Sequence, residues 1–178
     1  QRQPENLVVP LQDRAEYGWM AAIQPTLDAK CVSCHGGADA SKDPFAGKSY
    51  KVTMTDQTTG QTTTYEIPYL DLSSKETTVV YDRRMATYAR SYVSLFYPAA
   101  MDMGMGKTTI EGQVAPKWAI PNSARTSKLI EKVNVKATDG TFAFSSGVTH
   151  PEDKGVNLTE EERQALIRAI DLGGQYFD

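Results

Sequence analysis

The segment Ile23-Gln24-Pro25-Thr26-Leu27-Asp28-Ala29-Lys30-Cys31-Val32-Ser33-Cys34-His35-Gly36-Gly37 holds both cysteines of the chain and one of its two histidines. Cys31-x-x-Cys34-His35 is the attachment signature for c-type haem. The spacing has a chemical reason. Two thiols must add to the two vinyl groups on one porphyrin edge, and the two-residue gap matches that separation. A histidine directly after the second cysteine then presents its imidazole to the iron. Gly36 and Gly37 let the backbone leave without striking the macrocycle. The spacing thus predicts haem c as cofactor, bound by Cys31, Cys34 and His35.

Two rival chemistries fit less well. A structural zinc site needs four protein ligands. Outside the motif only His150 remains among the histidines, and there is no second Cys-x-x-Cys. A thioredoxin-like redox pair belongs in a βαβ context, whereas the flanking pattern here is helical.

Working outward, a helix is expected from about Asp13 to Ala29, carrying Tyr17, Trp19, Met20, Ile23 and Leu27. Pro25 should bend or split it. Residues 1–12, with Pro4 and Pro10, read as an irregular lead-in. Thr-rich, alternating sequence over residues 49–67 predicts a β-hairpin inserted into a helical protein. Residues 76–96 place Val79, Val80, Met85, Tyr88, Tyr92 and Leu95 at helical spacing, so a helix ending near Pro98 is expected. A loop rich in glycine and methionine, Met101-Asp102-Met103-Gly104-Met105-Gly106, would follow. Ser123 to Val133 reads as a short helix with Leu129 and Ile130 buried. A second hairpin is expected around 133–145, turning at Asp139-Gly140. The last helix is the clearest: Thr159 and Glu162 form a capping box. Leu158, Leu166, Ile167 and Ile170 supply its apolar face, and Gly173-Gly174 ends it. The expectation is one domain over 1–178, mainly α, with a class I-like cytochrome c helical core and inserted hairpins.

Bulk properties narrow the partners. The 178 residues suit one domain. A net charge of −3 argues against nucleic acid, whose phosphates require a basic face. No apolar run approaches the ~20 residues of a membrane span. The chain opens on Gln1, which reads as a mature or trimmed product. Because haem c is attached outside the bacterial cytoplasm, a periplasmic or cell-surface location is expected.

An electron carrier fills both axial iron positions. His150, in Val148-Thr149-His150-Pro151-Glu152 before the final helix, is the first choice for the sixth ligand. In a small c-type cytochrome the C-terminal helix packs near the haem edge, so the loop before it reaches the far side of the ring. Met101, Met103 and Met105 are alternatives, since a thioether is a common ligand that raises the reduction potential. The competing view is that these methionines fill gaps, and that His150 is a solvated surface residue. Arg125, with Arg83 and Arg84 behind it, is a candidate to neutralise the haem propionates. Trp19, Tyr17 and Phe96 are candidates to line the pocket.

Residues 23–36, Ser123-Ala124-Arg125-Thr126-Ser127-Lys128-Leu129, His150, Leu158-Thr159-Glu160-Glu161-Glu162 and Ala169-Ile170-Asp171-Leu172-Gly173-Gly174-Gln175-Tyr176 together resemble planctomycete-type bacterial c cytochromes. They also resemble the cytochrome domain related to the middle domain of the hydrazine synthase alpha subunit. The resemblance implies that the histidine before the last helix is the distal ligand. It does not imply hydrazine synthesis, which belongs to a multi-subunit assembly. Ala169 stands where the family often has tryptophan, and residues 38–115 match no part of the pattern.

The function expected is one-electron transfer with His35 and His150 as axial ligands, towards a redox partner protein or a fused enzyme domain. The alternative is a haem-based sensor or small-ligand binder with a displaceable sixth ligand. A peroxidase would need distal acid–base groups that the sequence does not display.

Overall fold

The computed structural model describes residues 18–37, 41–43, 45–55, 58–81, 84–105, 109–110, 113–114, 117–133 and 158–176. The lead-in at 1–12, the hairpin expected over 133–145, Tyr17, Arg83 and His150 lie outside them. The described residues form a mixed α and β fold, with helices and three separate two-stranded antiparallel sheets. This corrects the expectation of a mainly α, class I-like cytochrome core.

The N-terminal helical stretch is split. Helix α1 spans Trp19–Ala22 and α2 spans Gln24–Lys30, hinged at Ile23. Pro25 sits in the first turn of α2, where its missing N–H costs nothing. A single turn, α3, follows at Val32–His35.

The expected hairpin is present as β1 (Ser49–Thr55) and β2 (Thr62–Pro68), with Tyr50 opposite Ile67 and Val52 opposite Tyr65. Alternation sorts the faces: Tyr50, Val52 and Ile67 are buried, while Lys51, Thr53, Thr64 and Glu66 face solvent.

The helix expected over residues 76–96 is not there. Residues Glu76–Tyr81 and Arg84–Ala89 are strands β3 and β4 of a hairpin, and helix α4 spans Arg90–Met105. Thr77-Thr78-Val79-Val80 is a β-branched run that suits a pleated surface better than a helix. Thr78 and Thr87 pair across the exposed face at 3.1 Å, and Val79 is buried on the other. Met85, expected on an apolar helix side, is 73% exposed.

Pro98 lies within α4 rather than ending it, and Met101, Met103 and Met105 fall in the helix rather than in a loop. An interior proline costs about 3 kcal/mol. The buried Val93, Leu95, Phe96 and Tyr97 just before it contribute roughly 1.5–3 kcal/mol each, which is more than enough to hold the helix in place.

Two apolar clusters meet along α4. Val93 and Tyr97 join Tyr50, Val52, Ile67 and Val79 under the hairpins. Leu95 and Phe96 join the larger cluster, where Trp19, Ile23 and Leu27 meet Trp118, Ile130, Leu166 and Ile170. The short strands β5 (Thr109–Ile110) and β6 (Gln113–Val114) form the third sheet.

The segment expected as one helix from Ser123 to Val133 divides into a 3-10 turn at Ala124–Thr126 and helix α5 at Lys128–Val133, with Leu129 and Ile130 buried. Helix α6 spans Glu160–Asp171 with the full capping box: the Thr159 side chain accepts from the Glu162 amide, and the Glu162 carboxylate accepts from the Thr159 amide. Gly173 and Gly174 follow at φ 89° and 74°. The end of the described chain then returns to its start, the Trp19 amide donating to the Tyr176 carbonyl at 3.1 Å.

Candidate functional site

The motif is held in helical conformation from both sides. The Cys31 amide donates to the Leu27 carbonyl at 2.8 Å, and the Cys34 and His35 amides donate to the Cys31 carbonyl at 3.1 and 2.8 Å. In one turn of helix, residues three and four apart share a side. Cys34 and His35 lie in the turn and Cys31 is its N-cap residue, while Ser33 is exposed. Both cysteines are partly exposed and neither is in a disulfide.

Exit from the turn depends on glycine. A Cβ on Gly36 would lie 2.8 Å from the Val32 carbonyl oxygen. Gly37 adopts φ +73°, and its Cβ would meet Asp71 Oδ2 at 3.0 Å. The Leu72 amide donates to the His35 carbonyl at 2.7 Å and pins the motif to the segment before β3.

His35 is gripped by residues that the sequence did not reveal. Its Nδ1 lies 3.3 Å from Asp43 Oδ1, and the same oxygen accepts the Phe45 amide at 2.8 Å. The Asp43 side chain is fully buried, whereas that of His35 is 13% exposed. Phe45 stacks beside the imidazole at 6.4 Å and 29°, and continues into Tyr69 at 5.0 Å and Trp118 at 5.7 Å. A histidine that binds metal through one nitrogen donates the other to a carboxylate or carbonyl, which sets tautomer and ring orientation. With Nδ1 facing Asp43, Nε2 is the nitrogen through which this ring could bind a metal.

Burial pushes the Cys31 thiol up from 9.0 to about 11, with Glu162 and Cys34 adding to the rise and Lys30 opposing it. Catalytic Cys-x-x-Cys pairs work through a lowered thiol pKa, the opposite direction. Among the described residues, no group of three or more His, Cys, Asp or Glu is arranged to hold a metal ion. The described residues thus assemble no four-ligand zinc shell. Two thiols three residues apart and an imidazole facing a carboxylate are the groups that a haem c would use.

No family model, curated protein or solved structure matches the chain.

The other expected site residues stand apart. Arg125 is exposed on the 3-10 turn, and no hydrogen bond or ion pair among the described residues joins it to the motif. Met101, Met103 and Met105 lie on the last turns of α4. His150 falls outside the described residues. Trp19 and Phe96 meet edge to face at 5.4 Å within the core.

A cavity of about 310 Å³ opens beside Gly37 and Phe45, with Lys48, Glu66, Asp71 and Arg90 on its walls. Neither cysteine nor His35 lines it. Among the described residues no helix is long and apolar enough to cross a membrane.

Asp43, Phe45, Tyr69 and Trp118 gave no local signal in the sequence. The one available hint was an acidic residue eight positions after His35, in a segment without periodicity.

Proposed function

We propose that this chain is a monohaem c-type electron-transfer domain. Cys31 and Cys34 would attach the haem through thioether bonds, and the imidazoles of His35 and His150 would be its iron ligands. The observation that carries the reading is the single helical turn bearing Cys31, Cys34 and His35, with the His35 ring set by the buried Asp43. Bound haem supplies reversible one-electron chemistry at iron. The residues of the chain orient the imidazole through Asp43, pack the Phe45–Tyr69–Trp118 rings beside it, and release the backbone at Gly36.

The choice of His150 draws on chain geometry. Glu162 lies near enough to Cys31 to raise its thiol pKa, and Leu158 packs on the core that Cys31 also borders. In the sequence His150 stands eight residues before Leu158, ahead of α6. Arg125, exposed on its 3-10 turn, would be the candidate to pair with a haem propionate. The partner is a redox protein or a fused enzyme domain, and the compartment is the periplasm or cell surface, where haem c is attached.

Intact mass spectrometry of the protein matured in a host that attaches haem c tests this directly. The expected mass is the polypeptide plus one haem, and neither cysteine alkylates even after unfolding. A polypeptide of unmodified mass with two alkylatable thiols refutes the reading.

A further inference from the structure

Asp43 is a buried acid that the attachment chemistry does not require. Its side chain is fully buried. Oδ1 accepts the Phe45 amide and faces His35 Nδ1, while Oδ2 has no hydrogen-bond partner among the described residues. A buried carboxylate with one unmatched oxygen is costly unless positive charge lies close by. The turn at Phe45 would be served equally well by an uncharged asparagine, whose carbonyl accepts the same amide. The charge therefore answers to the imidazole.

We infer that Asp43 is a positioning residue that sets the electronic character of His35 and holds the haem iron at a low reduction potential. This rests on the haem reading above. The carboxylate takes the His35 Nδ1 proton as a hydrogen bond and makes the ring a stronger donor. A ferric porphyrin carries one more positive charge than a ferrous one, so a nearby buried anion stabilises the oxidised form. The Asp43 side chain is fully buried and that of His35 is 13% exposed, so water screens the pair little.

The test is potentiometric titration of the matured protein and of Asp43→Asn, each verified for haem by intact mass. Asparagine keeps an acceptor for both the Phe45 amide and His35 Nδ1 and removes only the charge. At a fixed applied potential the ferrous-to-ferric ratio is expected to rise about tenfold or more in the variant, equivalent to about 59 mV for one electron. Asp43→Glu, which restores the charge, should recover much of that shift. Equal potentials in haem-loaded protein and Asp43→Asn overturn the inference and leave the haem reading intact. A native protein without haem overturns both. Should Asp43→Asn fail to accumulate, NMR of the ferrous native protein decides. The His35 Nδ1 proton is expected to show a nuclear Overhauser contact to the Phe45 amide proton, since both donate to one oxygen. A ring proton without that contact overturns the inference.

Discussion

Trp19 Nε1 donates to Ser91 Oγ at 3.0 Å, and Ser91 Oγ in turn donates to Gln24 Oε1 at 2.6 Å. Gln24 Nε2 closes the relay on the Leu72 carbonyl at 3.1 Å. All four residues are buried. The chain of bonds ties α1 and α2 to α4 and to the segment that pins His35, so the helix leading into Cys31 is anchored by a polar line through the apolar core.

Ser91→Ala should therefore destabilise the protein. It leaves the Trp19 indole N–H and one Gln24 lone pair buried without partners, at about 1–3 kcal/mol for each unsatisfied group. Urea denaturation is the measurement. A midpoint unchanged from the native protein would show that the relay is not a structural tie.

Gly174 is required by shape as well as by backbone. It adopts φ +74°, and a Cβ there would lie 2.6 Å from Phe96 Cε1. Gly174→Ala should cost about 1–2 kcal/mol for the left-handed backbone, plus about 1–3 kcal/mol for overpacking. Gly60 has φ +70° with open space around it, so Gly60→Ala should cost the backbone part alone. Comparing the two variants by denaturant unfolding isolates the Phe96 contact. Equal losses would refute it.

The raised Cys31 pKa sets a pH window for chain produced without haem attachment. Burial pushes the folded thiol up from 9.0 to about 11, so the neutral thiol is the form the fold prefers. That preference contributes stability below pH 9 and is lost as pH rises towards 11. The unfolding midpoint of haem-free protein should fall across this range, and the fall should be smaller in Cys31→Ser. In matured protein a thioether replaces the thiol and this contribution should vanish. Iodoacetamide labelling of folded haem-free chain should give a midpoint for Cys31 well above that in urea; coincident midpoints would contradict the burial.

His150→Ala should turn a low-spin visible spectrum high-spin and open the iron to carbon monoxide. On the proposed reading the unaltered protein should be unmoved by carbon monoxide. Ready binding by the unaltered protein would favour a sensor or ligand binder over electron transfer. A far-red sulfur-to-iron band would assign the sixth position to Met101, Met103 or Met105.

What the sequence alone determined was local. The spacing of Cys31, Cys34 and His35 is the local feature from which haem attachment is proposed. Thr159 and Glu162 cap their own helix within four residues, Pro25 splits the N-terminal helix, and alternation over 49–67 pairs β1 with β2. Residues 76–96 satisfied two periodicities at once. Val79, Tyr88, Tyr92 and Leu95 read as a helical stripe, yet Thr77 to Val80 carry β-branched side chains. Pairing Thr78 with Thr87 and burying Val79 beneath the β1–β2 hairpin decided for strands. Such pairing is a contact between segments, which periodicity along one segment does not contain. The same holds at the site: Asp43 reaches His35 only because the chain folds back after Gly37, so the tertiary structure alone placed a carboxylate behind the histidine.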